Sequence, residues 1–246
     1  MTDLPLPRFA TAPAHVRCVD FGHVAVLVDY RTGRVQCLLP AAAARWSEAA
    51  RTGCLDGMPE DLAKSLLAAG LLTPTALATP WEVPPPATTS VASWGSAEFP
   101  AGAQRPSPVR LPRALAAAGA LAAVFAVGHV GRPATAMHRV SRLIASATAM
   151  CRRPATPAQA AACVLAVRRA AWHSPTRVAC LEESAAAVLL LAARRLHVTW
   201  CHGVAADPVR LHAWIQTADG SPVAEPPSTR ASEPVLTIGA RHQHHL

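Results

Sequence analysis

The sequence of 246 residues contains no asparagine, a single lysine (Lys64), one tyrosine and few other aromatic residues. Charged residues make up only 15% of the chain and hydrophobic residues 51%, which excludes a wholly disordered protein. Because asparagine is absent, a catalytic site built on cysteine and histidine must take a different third member, such as a carboxylate. We therefore expect a folded protein whose polar chemistry rests on a small set of side chains.

The seven cysteines include no CxxC pair and show no spacing typical of disulfides. We expect reduced thiols. The adjacent pair Cys201 and His202 is the nearest approach to a metal motif, but no second pair follows at ligand spacing, and the histidine-rich tail at 241–246 reads as a flexible end. The sequence thus predicts no metal site and no cofactor.

The formal charge of +8 raises the question of nucleic acid as a partner. The arginines are scattered rather than gathered on one face, which argues against a phosphate-binding surface.

The first residues lack the basic start and apolar run of a secretory signal, so we expect a cytoplasmic protein. Residues 114–130 are almost uncharged but rich in alanine, which favours a buried helix over a stable membrane span.

Proline and small polar residues are concentrated between the two ends of the chain, including prolines 84–86 and the run 104–108. Such a composition is typical of a linker. It predicts an N-terminal domain at 1–75, a linker at 76–112 and a C-terminal domain at 113–246, each long enough to bury a core.

The N-terminal domain shows a hairpin pattern followed by helical patterns. Residues 23–29 and 34–39 alternate as strands around a turn at 30–33, and helices are expected at 41–51 and 59–69. In the C-terminal domain, helical spacing covers 114–127, 137–150, 157–171 and 180–195. Strand patterns follow at 197–204, 210–216 and 223–225. The sequence therefore predicts an α+β protein.

Cys180 stands at the predicted start of a long helix, where unpaired amides and the helix dipole favour a thiolate. A lone cysteine is usually a small core residue, so position alone is weak evidence. His212 follows in a predicted strand, and an imidazole beside a helix-start thiol makes a nucleophile and base pair. The third member would be Glu225 on the next predicted strand, or else Asp219 in a turn. We prefer Glu225, because a turn carboxylate is exposed by default.

The C-terminal half resembles the lasso peptide biosynthesis B proteins, the family of the microcin J25 processing protein, which have a transglutaminase-like cysteine peptidase core. The resemblance spans most of 152–239 and rests on four segments: ACLEES at 179–184, WCHGVAADP at 200–208, LHAWIQ at 211–216 and GSPVAEP at 220–226. It carries the roles of nucleophile and base onto Cys180 and His212. Glu225 departs from that family, in which an aspartate commonly takes the third role.

The resemblance implies an endopeptidase that removes the leader from a ribosomally made precursor of a lasso antibiotic, and a partner macrolactam synthetase (an asparagine-synthetase-like C protein). The sequence leaves two alternatives open. A transglutaminase-like site can transfer acyl groups to an amine instead of water, and the chain could act as a scaffold or chaperone with Cys180 structural.

Residues 26–72 resemble the PqqD-like elements that bind leader peptides. In that family the leader adds a strand to the sheet and lies against a helix, which is β-augmentation. The expected fold is thus a small PqqD-like, winged-helix-type domain joined to a transglutaminase- or papain-like cysteine peptidase domain. The implied leader contacts are Arg34, Val35, Gln36, Cys37, Leu38, Leu39, Asp61, Lys64, Ser65 and Ala68. A small structural domain without that role is the alternative.

Overall fold

The structure is a computed structural model that describes residues 6–84, 86–87 and 107–239. The chain divides into two compact units, within residues 1–88 and 89–245. The predicted linker residues 88–106, Pro85 and the tail at 241–246 lie outside the described residues.

The first unit contains a three-stranded antiparallel sheet in the order β2-β3-β4, with β2 at Val16–Asp20, β3 at Ala25–Asp29 and β4 at Arg34–Leu38. All five residues of the central strand β3 are buried. The turn after it is held by the Asp29 carboxylate, which accepts hydrogen bonds from the amides of Arg31 (2.8 Å) and Thr32 (3.2 Å). The predicted hairpin is confirmed, and β2 is an additional strand.

Two helices follow the sheet, α1 at Pro40–Thr52 and α2 at Glu60–Ala68. Proline starts both, at the first position of α1 and just before α2, where its missing N–H costs no helical hydrogen bond. The buried face of α1 carries Trp46, which packs in one core with β-strand and α2 residues. A short pair, β1 at Ala10–Thr11 and β5 at Thr73–Pro74, joins the two ends of the unit.

Part of the predicted linker is packed on the first unit. The Trp81 ring meets the Trp46 ring edge to face with centroids 5.5 Å apart, and the Trp81 amide donates to the Ala50 carbonyl at 2.9 Å. Further on, the Ala87 amide donates to the Asp20 carbonyl at 2.7 Å. Composition alone suggested a linker there because proline dominates the segment, but contacts of half-buried Trp81 attach this mostly exposed stretch to the first unit.

The second unit begins with helices: α3 at Leu111–His129, α4 at Ala136–Ala149 after a 3₁₀ turn at Pro133–Thr135, α5 at Pro157–Ala171 and α6 at Cys180–Ala192. The start of α5 is fixed by a capping box, in which Thr156 and Gln159 each accept from the other's amide. The helix α3 packs against α4, α5 and α6.

Strands close the second unit. A short parallel pair joins β6 at Arg153–Pro154 to β7 at Leu196–His197. The main sheet is antiparallel in the order β10-β8-β9, with β8 at Thr199–Ala206, β9 at Val209–Gln216 and β10 at Glu233–Ile238. Every residue of β8 except Ala206 is buried, as expected of the central strand. The mixed helix and sheet composition that the sequence predicted is confirmed.

Two expectations for the second unit were wrong. Residues 223–225 do not form a strand: Ala224 has a left-handed backbone (φ +54°), and the third strand is instead β10, reached through a 3₁₀ turn at Pro227–Ala231. The helix α3 is not buried all round. Its buried residues are Ala117, Leu121 and Val124, a single stripe, because one face suffices to pack on the other helices.

Among the described residues, α3 is the one helix long and apolar enough to cross a membrane by length and composition. Its most apolar window has a mean hydropathy of 1.7, and 17% of that window is buried.

Candidate active site

The nucleophile candidate Cys180 is the first residue of α6. Ala179 before it has an extended backbone, and its amide donates to the Glu182 carboxylate at 3.0 Å, which fixes the entry into the helix. Ala179 has no side-chain acceptor, so the reciprocal half of a capping box is absent here. The first amides of a helix lack intrahelical acceptors and can therefore stabilise negative charge beside Cys180.

His212 lies in β9, and its imidazole is held from two sides. Nε2 is 2.8 Å from Glu225 Oε2, and Cys180 is close enough to the ring to raise the pKa of His212. Because Glu225 occupies Nε2, Nδ1 is the ring nitrogen left to exchange a proton with the thiol. The structure thus brings together Cys180, His212 and Glu225.

The charge state of His212 reflects this environment. Burial by itself would lower the pKa of His212, but the interaction with Cys180 and the Glu225 carboxylate, which accepts a hydrogen bond from the ring, raise that pKa to about 9. The imidazole therefore holds a proton at neutral pH, as an ion pair with a thiolate requires.

The two acid candidates are placed differently. Asp219 is exposed and is engaged by its own turn, where it accepts from Thr217 Oγ1 at 2.6 Å and from Ser221 Oγ at 2.9 Å. These hydrogen bonds lower the pKa of Asp219 to about 2. The Glu225 side chain is only 7% exposed and reaches His212 from a loop instead of the strand we expected.

Two residues that the sequence did not single out also hold Glu225. Thr229 Oγ1 donates to Glu225 Oε2 at 3.3 Å, and Arg168 Nη2 lies 2.6 Å from Glu225 Oε1. Arg168 belongs to α5, 57 residues before Glu225 in the chain. No local pattern marks so distant a partner, so only the fold could reveal it.

The His212 ring stacks on Trp214, with centroids 5.6 Å apart and planes 13° from parallel. Gly203 on β8 is paired with His212 in the sheet register. A Cβ atom at Gly203 would lie 2.7 Å from the Trp214 ring, so this glycine makes room for the ring that supports His212. The motif at 211–216 thus carries a packing role besides the histidine.

His202 sits on β8 near the site but is buried. Burial, and next the charge of His212, lower the pKa of His202 to about 4, so it is neutral at physiological pH. Its ring stacks on Trp200, and Trp200 Nε1 donates to Ser184 Oγ of α6 at 2.9 Å. This contact ties the helix that begins at Cys180 to the sheet.

The other cysteines differ from Cys180 in setting. All seven thiols are free of disulfides. Burial raises the pKa of Cys18 and Cys201 to about 12 and raises the pKa of Cys151 and Cys163 as well, which suppresses their thiolates. Within 6–84, 86–87 and 107–239, no group of three or more His, Cys, Asp or Glu side chains is arranged to hold a metal ion.

A pocket of about 250 Å³ adjoins the first turn of α6. Its wall is largely apolar, with Val124, Phe125, Pro133, Ala136, Val140 and Leu181, and it also includes Gly128, His129 and Glu182. Leu181 and Glu182 directly follow Cys180 in the chain, whereas Cys180 itself does not line the pocket. Its volume is sufficient for one large apolar side chain, since about 150 Å³ holds a benzene molecule.

In the first unit, the residues expected to contact a leader are mostly exposed. Arg34, Val35, Gln36 and Cys37 are exposed on β4, Leu38 is buried, and Leu39 is exposed directly after the strand. Within the described chain, β4 pairs with β3 alone and so forms one edge of its sheet. On α2, exposed positions are Asp61, Ser65 and Ala68, while Lys64 is half-buried and pairs with Glu60 at 2.7 Å.

A helix-start thiol, an imidazole and a carboxylate near one another are the groups that cysteine-based acyl chemistry uses. A family model described as the transglutaminase-like superfamily matches residues 129–237, which include all three side chains. The chain therefore carries a transglutaminase-like superfamily domain, a fold consistent with cysteine-based hydrolases and transferases. The comparison with curated proteins found no match, and the comparison with solved structures found none either.

Proposed function

We propose that this protein is a cysteine endopeptidase that binds the leader of a ribosomally synthesised lasso peptide precursor and removes it before macrolactam formation. The observation that carries the proposal is the position of His212, which hydrogen-bonds Glu225 through Nε2 and lies close to Cys180. The identity of the substrate rests on the resemblance of the segments at 179–184, 200–208, 211–216 and 220–226 to the lasso B proteins.

Before the reaction, His212 as the base already holds the proton of Cys180; in the first chemical step the thiolate of this ion pair attacks the carbonyl at the leader–core junction. The amide of Cys180 at the helix start would help to stabilise the resulting oxyanion, together with a second donor that is not assigned. Protonated His212 gives its proton to the departing amine, which leaves as the N-terminus of the core peptide. The leader remains bound to Cys180 as a thioester.

In the second step, His212 takes a proton from water and the hydroxide attacks the thioester carbonyl. The C–S bond breaks, the leader departs with a new carboxylic acid, and the thiol is restored. Glu225 holds the imidazole ring in orientation and stabilises its charged form throughout. The freed core amine is then the group that a macrolactam synthetase would join to a side-chain carboxylate.

The first unit would supply leader recognition as a PqqD-like domain. The exposed edge strand β4 supports this role, because an extended peptide can pair with a free strand edge through main-chain hydrogen bonds. The exposed positions Asp61, Ser65 and Ala68 would line the helical side of the same site. Capture by one unit raises the local concentration of the cut site at the other.

The largely apolar pocket at the first turn of α6 supports a peptide as substrate. A protease commonly selects its cut site by burying a substrate side chain near the bond that breaks, and this pocket has the size and lining for an aliphatic or aromatic one. In this proposal an aliphatic or aromatic side chain of the precursor occupies the pocket.

Product masses test the proposal directly. The full-length protein is incubated with the precursor peptide, with and without the partner synthetase. The masses of the peptide products are then measured by mass spectrometry. Hydrolysis predicts two fragments that sum to the precursor plus one water. A precursor joined to an added amine would instead establish acyl transfer. An intact precursor, despite measurable binding, would contradict the peptidase and favour a scaffold.

A further inference from the structure

The side chain of Arg168 is 29% exposed in the last turn of α5 and makes three polar contacts in the second unit. Nη2 lies 2.6 Å from Glu225 Oε1, Nε lies 3.4 Å from Glu183 Oε2, and Nη1 donates to the carbonyl oxygen of Ala224. A planar guanidinium can serve three acceptors in this way, whereas a lysine ammonium is a point charge on a flexible stem. Arg168 thus joins α5, α6 and the loop that carries Glu225.

The loop that carries Glu225 is stabilised by contacts from outside the loop. Glu225 lies outside the strands of the sheet, and Ala224 before it adopts a left-handed backbone (φ +54°) that is unfavourable for a residue with a Cβ atom. Arg168 binds both sides of this point: the carbonyl of Ala224 and the carboxylate of Glu225. The hydrogen bonds therefore offset the cost of the strained backbone at the residue that must reach His212.

The charges around Arg168 alternate in sign. His212, Glu225, Arg168 and Glu183 form a continuous series of contacts, with two carboxylates and two basic groups. Burial raises the pKa of Glu183 while Arg168 counteracts that rise. Removing the guanidinium would leave the Glu225 and Glu183 carboxylates without the cation that contacts both of them.

We propose that Arg168 is a positioning residue that holds Ala224 and Glu225 so that the carboxylate of Glu225 reaches Nε2 of His212. This inference rests on the proposed function, in which the same triad cuts a peptide bond. Arg168 itself touches neither the thiol nor the substrate; it acts through Glu225.

The test compares Arg168→Met, Arg168→Lys and the control Arg142→Met, which replaces an exposed arginine of α4. The pKa of His212 is followed by NMR titration, with its resonances assigned by their loss in His212→Gln. In Arg168→Met the carboxylate leaves His212, so the pKa of His212 should fall below about 9, because the contribution of Glu225 is lost while that of Cys180 and the opposing effect of burial remain. Arg168→Lys should recover part of the shift, and Arg142→Met should match the wild type.

Precursor cleavage gives the second readout. Arg168→Met should lower kcat by about 10- to 100-fold with KM nearly unchanged, since misplacement of a catalytic group slows the chemical step. If the pKa of His212 stays at its wild-type value or rises, Arg168 acts only as a nearby charge and the inference is wrong. Should the methionine variant fail to fold, the same two readouts on the lysine variant decide the matter.

The two failures can be told apart. A wild-type protein that cleaves no precursor, combined with a fall in the His212 pKa in Arg168→Met, would remove the proposed substrate but keep the positioning role. Normal cleavage by Arg168→Met with an unchanged His212 pKa would remove the positioning role but keep the peptidase.

Discussion

At the scale of single residues, the site depends on the different protonation states of two histidines. His212 is charged because Cys180 and Glu225 outweigh its burial, whereas His202 is neutral because burial and His212 both oppose its protonation. One histidine is thereby kept as an acid and the other as an uncharged packing group. The difference comes from neighbouring groups, because both residues lie on strands of the same sheet.

This division predicts a maximum of stability near neutral pH. The pKa of His202 is lowered from 6.5 to about 4, so the unfolded chain binds its proton first and stability falls as the pH drops through that window. The pKa of His212 is raised from 6.5 to about 9, so its contribution is complete below 6.5 and is lost as the pH rises towards 9. Urea unfolding between pH 4 and 9.5 should show a fall in the free energy of unfolding on the acid side and another on the alkaline side.

Variants can test the loss of stability at acid pH separately from the loss at alkaline pH. In His202→Gln the free energy of unfolding should fall less between pH 6.5 and 4, because the pKa shift of His202 accounts for about 3 kcal/mol of that fall. In His173→Gln, at an exposed position, the fall should be the same as in the wild type. Equal slopes in His202→Gln and the wild type would show that other groups control acid stability.

At the scale of elements, the site depends on how closely β8, β9 and β10 approach each other. Gly203 on β8 has the Glu233 carbonyl on one side and the Trp214 ring on the other, at 2.6 and 2.7 Å from where a Cβ atom would lie. Trp214 in turn supports His212 by stacking. Sheet packing and imidazole position are therefore coupled through one glycine.

Gly203→Ala should consequently damage both stability and activity. We expect a loss of about 1–3 kcal/mol in the free energy of unfolding from overpacking, and a fall in cleavage rate beyond that of the unfolded fraction. Gly119→Ala is the control: nothing lies within 4 Å of its Cβ position in α3, and alanine there should stabilise the helix by about 0.5–1 kcal/mol. If Gly203→Ala is as stable and active as the control, the packing argument fails.

The sequence predicted most elements of this protein, and the exceptions have physical causes. Helical periodicity located α5 from 157 to 171 because apolar residues recur there at helical spacing, and in the structure a capping box at Thr156 fixes its start. The same reasoning made residues 223–225 a strand, but the left-handed Ala224 prevents one, and the contacts that hold it come from Arg168 on α5. Contacts between distant segments are not encoded in local periodicity.

The candidate site shows the same limit. Cys180 and His212 could be singled out because a helix start and a strand histidine have recognisable patterns. Glu225 could be preferred over Asp219 because a turn carboxylate usually serves its own turn, and the structure places Asp219 in that role. Arg168, Thr229 and the ring of Trp214 could not be assigned, since each acts only through the folded geometry.

At the scale of the whole molecule, the proposal gives the two units separate tasks. The first would bind the leader along β4 and α2, and the second would cut the precursor at Cys180. Each task can therefore be damaged without the other. The apolar and exposed Val35 on β4 is the residue with which to test this separation.

Val35→Lys should weaken leader binding and raise KM for the precursor about tenfold, because a leader strand would lose an apolar contact on β4. The rate at which iodoacetamide alkylates Cys180 should not change, because that reagent needs no leader. Leu77→Lys, at an exposed apolar residue of the same unit outside β4 and α2, serves as the control. Equal KM values in the two variants would place leader recognition elsewhere.

The most direct test of the central claim is precursor cleavage by Cys180→Ala beside Cys151→Ala, followed by mass spectrometry with leader binding measured in parallel. Cys151 is a half-buried thiol of the same unit, and its Sγ donates to the Ala147 carbonyl instead of facing a histidine. We predict that Cys151→Ala cuts the precursor at one junction as the wild type does, while Cys180→Ala binds it and leaves it intact. Cleavage by Cys180→Ala at the wild-type rate would contradict the account.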